Sequence, residues 1–512
     1  MKPSVYIIGT GPGDPDLITV RGLEYLRSAD VVIHDDLVSP KLLQHARVGA
    51  ELINVGNAAP QAMAQEAISY LLAEKAREGK TVARLKWGDP FVFDRGGEEA
   101  LFLHEQGVRF EVVPGLPAGI GVPAYAGIPV TYHGGGDTLT LVRGYEDESR
   151  TPPDVDWASL AKLDGTIVCY AGAQQLPKIL DALIQKGRSE DERAAIVYNG
   201  TLPTQETIEG SLGELAARFK EHQRREPAIL IVGRVVGFRD YLRWFDSRPL
   251  FGRRVLVTRP REQAAELVER LTALGAEAVE APMIQIVPPH DLAPLRQAAA
   301  TADQFDWIVF TSANAVDAFM HALLDGDRDV RALKGPLLCA VGSATAAKLA
   351  LHGIKVDLVP DEFRAEALTT ALLQRGPVEG ARILLPHADI ARDVVADQLR
   401  HAGAIVTEVV AYRTVADESS RDDQGADVYR MLLDGRIDVV TFTSASAIRN
   451  FAALFGLDQA ADLLRHTIVA TIGPVTREAA AQLDVDVAIQ PATYTVSALA
   501  DAIAAYYRSV TV

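Results

Sequence analysis

Cysteine is nearly absent. The chain has two in 512 residues, Cys169 and Cys339. Each lies inside an apolar, strand-like run, far from the other, which predicts buried free thiols and a reducing compartment, the cytoplasm. No CxxC pair and no HExxH helix occurs, so no metal site is expected. No apolar run reaches the ~18–20 residues that a membrane span needs. The start, "MKPSVYIIGTG", enters a strand and a turn at once, with no apolar stretch and small-residue cleavage site, so no signal peptide is expected. Positive charge is the minority: Lys plus Arg is 51 against 68 for Asp plus Glu, a net charge of −17. That balance argues against nucleic acid as a partner. It leaves room for an anionic small molecule, because donors can be arranged locally in a cleft.

What is present is ordinary globular material, 48% apolar and 23% charged. The length predicts roughly 3–4 units of ~100–200 residues. Short β-branched runs such as "ADVVIHD", "TIVCYAG", "ILIVGRVVG", "RVLVTRP" and "WIVFTSA" alternate with Ala/Leu/Glu-rich segments. Continuous apolar strands separated by helices predict an α/β protein with mainly parallel sheets covered on both faces. Two stretches read as joints: "YEDESRTPPDVDW" (145–157) and "FRDYLRWFDSRPLFGRR" (238–254). The second is the better boundary, since a fresh βα unit follows it.

The second half repeats itself weakly. Residues 254–282 parallel 382–410, "VFTSANAVDAF" (309–319) parallels "TFTSASAIRNF" (441–451), and "AVGSATAAKLA" (340–350) parallels "TIGPVTREAAA" (471–481). The order is kept at an offset of about 130 residues, which predicts two similar α/β lobes with a cleft between them. Each cluster of hydroxyls sits where a strand ends and a helix begins. There Ser and Thr either cap the helix or, with free backbone N–H groups, hold an anion.

The first half opens on "GTGPGDP" (9–15), a glycine turn after a strand. A dinucleotide loop needs G-x-G-x-x-G and open N–H groups. Here Pro12 removes a donor and Asp14 adds negative charge, so a pyrophosphate is disfavoured. S-adenosylmethionine, which has no phosphate and a positive sulfonium, suits the residues better.

With "ADVVIHDDLVSP", "RLKWGDPFVFDRGGEEA", "VVPGLPAGIGVPAYAGIPVT", "NGTLPTQETIEGSL" and "PAILIVGRVVGFRDYLRWF", that loop makes residues 1–245 resemble uroporphyrinogen-III C-methyltransferase. The resemblance implies two α/β lobes, about 1–112 and 113–245, with S-adenosylmethionine between them and a homodimer through this half. It implies methylation of uroporphyrinogen III to precorrin-2, feeding siroheme or cobalamin. It places Pro12, Trp87, Gly88, Asp89, Pro117, Ala118, Tyr170, Ala171, Asn199, Gly200, Pro227 and Ala228 at the cofactor. Asp14 and Asp35 match family carboxylates on the substrate side and are the catalytic candidates, with turn residue and helix cap as their plainer readings. Arg84 and Lys86 are expected to meet substrate carboxylates. The chain departs from the family pattern at Trp87, at Pro117-Ala118, at Ala171 and at Arg143-Gly144-Tyr145. These departures keep a second reading open, a methyltransferase-like module that no longer methylates.

After a linker at 246–253, "VLVTRP", "FTSANAV", "VGSAT", "AYRT", "FTSASA" and "IGPVT" make 254–512 resemble uroporphyrinogen-III synthase. The expected lobes are about 254–285 with 413–512, and about 286–412. The resemblance implies cyclisation of hydroxymethylbilane with inversion of its last ring, giving the first half's substrate. It makes Tyr412 a donor to the departing hydroxyl, and Thr311, Ser312, Thr345, Ser444, Thr476 and Arg259 the ligands of substrate carboxylates.

Overall fold

The computed structural model describes residues 4–56, 63–133, 138–144, 154–172, 175–219, 227–360, 365–389, 394–416 and 423–510. Most of the proposed joint at 145–157 therefore lies outside the described residues. By compactness the chain forms two units. One is Met1–Arg254 with Arg270–Glu277 and Ala504–Val512; the other is Val255–Glu269 with Ala278–Ile503.

The first unit holds two five-stranded sheets. β1 (Val5–Gly9), β2 (Val31–His34), β3 (Glu51–Asn54), β4 (Val82–Lys86) and β5 (Phe110–Val113) pair in the order β3-β2-β4-β1-β5. All four pairings are parallel. β1 and β4 are buried along their whole length, as a central strand covered by helices must be.

The second sheet holds β6 (Leu139–Arg143), β7 (Thr166–Gly172), β8 (Arg193–Tyr198), β9 (Glu206–Ser211) and β10 (Pro227–Val232), in the order β6-β7-β10-β8-β9. Only β6 and β7 run parallel; β7, β10, β8 and β9 are antiparallel neighbours. This sheet departs from the parallel expectation for a local reason. "NGTLPTQ" (199–205) joins β8 to β9 and is too short for a crossover. β10 is continuously apolar because both its faces are covered, and such a run does not report strand direction.

Strands β11 (Arg254–Val257), β12 (Glu277–Glu280), β13 (Ile284–Val287), β14 (Trp307–Phe310), β15 (Leu337–Ala340), β16 (Arg382–Ala388), β17 (Ile405–Ala416), β18 (Val439–Phe442) and β19 (Ile468–Thr471) build two further sheets. Their orders are β12-β11-β18-β19 and β13-β17-β16-β14-β15. The sequence repeat equates β11 with β16, β12 with β17, β14 with β18 and β15 with β19. Under that equation the first order reads onto β17-β16-β14-β15, with β13 added antiparallel at the edge. Each sheet thus takes its opening strands from one copy of the repeat and its closing strands from the other. Thr258 and Thr441 clasp one such junction reciprocally: Thr258 Oγ1 donates to Thr441 O at 2.7 Å and Thr441 Oγ1 to Leu256 O at 2.9 Å.

Candidate active sites

In the first unit the chain leaves β1 toward β2 on one side and leaves β4 toward β5 on the other, although β1 and β4 are neighbours. Such a reversal opens a crevice at the strands' carboxyl ends, where ligands of open α/β sheets bind. The loops there are joined backbone to backbone. The Thr10 N–H and hydroxyl both donate to Lys86 O at 2.9 Å. Gly11 and Gly88 exchange hydrogen bonds of 3.2 and 2.8 Å as an isolated antiparallel bridge. Gly88 has φ +68°, in the left-handed region that favours glycine. A Cβ on Gly115 would stand 2.1 Å from Gly88 O and 2.7 Å from Gly9 Cα. Asp89 ties the third loop in, accepting from Phe91 N at 2.8 Å and Gly115 N at 2.9 Å. Its carboxylate organises the cradle.

The residues that depart from the family pattern brace this cradle. Trp87 Nε1 donates to Pro12 O at 2.9 Å. Pro117 is the N-cap of the helix Ala118–Tyr125 and offers it no side-chain acceptor. The acceptor comes from the other sheet instead: Gly119 N donates to the Tyr170 hydroxyl at 2.7 Å. Burial pushes the Tyr170 phenol above its usual value. Phe93, at φ +56°, meets the Tyr170 ring edge-on with centroids 5.1 Å apart. Ala171 and Ala228 are buried register partners on β7 and β10, with Pro227 opposite Gly172 at the strand end. Of the departure at 143–145, Arg143 ends β6, Gly144 N donates to Tyr170 O at 2.7 Å, and Tyr145 lies outside the described residues.

Asp14 joins the loops of the two sheets. Its Oδ2 accepts from the Tyr125 hydroxyl at 2.9 Å, its Oδ1 from Asp16 N at 3.0 Å, and its own N–H donates to Thr201 Oγ1 at 2.9 Å. Burial, and then Asp14, raise the Tyr125 phenol. Asn199 (φ +47°) and Thr201 (φ +70°) occupy left-handed backbone on either side of Gly200, where a Cβ would meet Val122 Cγ1 at 2.5 Å. Non-glycine residues held there carry ~1–3 kcal/mol of strain each and cluster at ligand sites.

Arg84 and Lys86, expected at the substrate, are instead 1% and 2% exposed. They alternate on β4 and so share a face of a buried strand, where a cation requires a carboxylate. Arg84 Nη2 lies 2.7 Å from Asp35 Oδ1 and 3.2 Å from Glu99 Oε1. Lys86 Nζ lies 2.9 Å from Asp94 Oδ1, 3.2 Å from Glu99 Oε1 and 3.8 Å from Asp35 Oδ2. Gln65 Nε2 donates to Glu99 Oε1 at 2.9 Å. Burial alone would raise the Glu99 carboxyl, but Arg84 and Lys86 outweigh it and hold the pKa below the ordinary value. For Asp94 burial wins over Lys86, and the pKa is raised. Only Asp35 and Asp94, with side chains 29% and 23% exposed, reach the surface of this cluster. Sequence reasoning missed Asp94 and Glu99. The signal available was the i, i+2 pair of cations on one strand.

In the second unit the repeated serines are helix N-caps. Ser312 Oγ accepts from Ala315 N and Ser444 Oγ from Ala447 N, each at 3.1 Å. Beyond that the two copies differ. Ser312 Oγ also lies 3.1 Å from the hydroxyl of Tyr412, which is 9% exposed within β17. Ser444 pairs with Ser446 at 3.0 Å. Thr311 precedes the Ser312 cap and is half-buried. Thr345 and Thr476 occupy matching places in the helices Ser343–Leu351 and Pro474–Ala481, each 4% exposed. Arg259 follows β11 and touches Gln263 Oε1 at 3.4 Å; Gln263 Nε2 donates to Asn314 Oδ1 at 2.7 Å. Arg259 thus reaches Asn314 through Gln263, while Ser312 pairs with Tyr412; the two links meet the chain two residues apart after β14. Among the described residues, no direct hydrogen bond joins Thr345, Ser444 or Thr476 to Arg259, Ser312 or Tyr412.

These folds and sites define a tetrapyrrole-methylase module followed by a uroporphyrinogen-III synthase module. Residues 4–216 match the family described as Tetrapyrrole (Corrin/Porphyrin) Methylases, and 265–501 that described as Uroporphyrinogen-III synthase HemD. The chain belongs to the family of the porphyrin biosynthesis protein HemD of Ruminiclostridium josui, to which it is 38% identical over 88% of both chains. It is 37% identical to the uroporphyrinogen-III C-methyltransferase of Bacillus subtilis over 66% of this chain and 69% of that one. The S-adenosyl-L-methionine-dependent uroporphyrinogen III methyltransferase of Methanosarcina barkeri is 42% identical over 46% of this chain and 94% of its own.

Proposed function

We propose that the chain is a bifunctional enzyme of tetrapyrrole biosynthesis. The second unit cyclises hydroxymethylbilane to uroporphyrinogen III with inversion of the last ring. The first methylates that product with S-adenosylmethionine to precorrin-2. The observation that carries the methyltransferase reading is the backbone cradle of Gly9, Gly11, Gly88 and Gly115. Its strand-end loops approach backbone to backbone, closer than any Cβ would allow, and Trp87 and Tyr170 brace them where the family pattern is lost. That geometry fits a phosphate-free nucleoside held largely through backbone contacts.

When bound, S-adenosylmethionine supplies an electrophilic methyl group. The chain aligns an electron-rich pyrrole carbon with it and excludes water. Asp14 fixes the two sheets' loops relative to each other, and Asp35, the partly exposed carboxylate of the ion cluster, meets the substrate. In the synthase, positioning carries the reaction: Tyr412, hydrogen-bonded to Ser312, donates to the departing hydroxyl, and helix N-termini with Thr311 and Arg259 hold carboxylates.

Two assays test this. With hydroxymethylbilane alone, isomer III is the expected product, and chiefly isomer I would overturn the synthase assignment. With uroporphyrinogen III and methyl-labelled S-adenosylmethionine, label enters the tetrapyrrole; its absence, alongside an active control enzyme, would favour the non-methylating reading. Calorimetry with S-adenosylhomocysteine then separates a degenerate pocket from one that binds without transfer.

A further inference from the structure

Three carboxylates, Asp35, Asp94 and Glu99, surround two cations, Arg84 and Lys86, at the carboxyl ends of β2 and β4. The cluster carries one negative charge in excess when fully ionised. Glu99 is 0% exposed and accepts from Arg84, Lys86 and Gln65, so it stays ionised. The excess rests on Asp35 and Asp94, which converge on one Lys86 nitrogen and alone reach the surface. Asp94 lies on the loop that carries Trp87, Gly88 and Asp89, and Lys86 carries the carbonyl that binds Thr10. The cluster therefore adjoins the cradle on both the β1 and β4 sides.

We infer that Asp94 is the proton-holding carboxylate of the first-unit site. This rests on the methyltransferase reading. Each methylation uses a pyrrole π pair to form the new C–C bond. The electrons of the broken S–C bond remain on sulfur, and the cationic ring gives up a proton. A cluster with one excess negative charge takes that proton and becomes neutral, with no buried charge left unpaired. The groups facing Asp94 are Lys86 on β4, Asp35 after β2 and the backbone N–H of Arg95, with Arg84 and Glu99 behind them; His34 lies beyond Asp35.

The test is an infrared titration of the whole chain that follows the C=O stretch of protonated carboxyls, run beside methyl-transfer kinetics. The wild type should show a carboxyl titrating above the ordinary Asp range. That carboxyl should be missing in Asp94→Asn and should persist, only slightly lowered, in Asp35→Asn, because burial rather than Asp35 is the main cause of the raised value. Methyl-transfer kcat in Asp94→Asn should fall about 10²-fold and lose its acidic limb, with KM for S-adenosylmethionine little changed and Asp94→Glu recovering most of the rate. Unchanged S-adenosylhomocysteine binding certifies the fold of each variant. A carboxyl titration that persists in Asp94→Asn overturns the inference, as does an unchanged kinetic pH profile. A wild type with the titration but without methyl transfer supports the proton site and overturns the functional reading alone.

Discussion

In the first unit, three strand ends meet backbone to backbone at Gly9, Gly88 and Gly115, and two buried cations stand behind them in a cage of carboxylates. In the second unit, the strand ends carry hydroxyls: Thr311 and Ser312 after β14, Ser444 after β18. Among the described residues they have no comparable ion cluster. Under the proposed function the contrast follows from what each site must hold. A compact nucleoside is recognised by fixed main-chain groups, which requires glycines and a rigid frame. A flexible polycarboxylate needs many separate anion contacts, which helix N-termini supply without buried charge.

The sharpest way to break the comparison is Glu99→Gln. It removes the one fully buried carboxylate that touches both Arg84 and Lys86, leaving only the partly exposed Asp35 and Asp94 to pair them, and should destabilise the first unit by about 3–5 kcal/mol at neutral pH. Because its folded pKa is lowered, Glu99 contributes stability above the ordinary carboxylate value, lost as pH falls through the folded pKa. The gap between wild type and variant, read by urea unfolding, should narrow with acid; a gap that widens would remove the caged-cation account. Gly115→Ala comes next. Its Cβ has backbone, not a flexible side chain, in its path, so overpacking of about 1–3 kcal/mol is expected, with loss of S-adenosylhomocysteine binding by calorimetry. Cyclisation in the second unit should be untouched.

The repeat inside the second unit gives a finer cut. Ser312→Ala and Ser444→Ala each remove a helix cap and should each cost about 1 kcal/mol in thermal unfolding. Only Ser312→Ala should slow isomer III formation, since only Ser312 touches Tyr412. Equal slowing by both would show that the caps act through stability alone. The smallest effect uses the thiols, one in each unit. Burial pushes Cys169 and Cys339 both up to about 12, so neither should react with a disulfide reagent in the native state at neutral pH. Labelling against rising denaturant should then report each unit's opening separately.

Much of the fold was legible because it rests on local pattern. The apolar runs became β2, β7, β10, β11 and β14, and the three repeated segments became a repeated strand order. Direction in the β6–β10 sheet was not: the short loop at 199–205 reverses β8 into β9, but β10 reads the same in either sense. The sites divide similarly. The glycine loop and the serine caps are contiguous motifs. The partners of Arg84 and Lys86 come from three separate segments and appear only once β2, β4 and the helix Gly96–Glu105 are brought together. Tyr170 capping a helix at Gly119, 51 residues away, has no local signature.

The strand exchange in the second unit also constrains how that unit comes into being. Thr258 finds its partner 183 residues downstream, and β11, which has β12 beside it early, gains its other neighbour only once β18 has been made. Neither copy of the repeat can complete a sheet alone. During synthesis the early pairs β11–β12 and β14–β15 must wait, each with an apolar edge open, until the second copy follows. Such non-local pairing makes for slow closure and long exposure to aggregation. Two fragments cut between the copies should be inert singly and regain structure only when mixed.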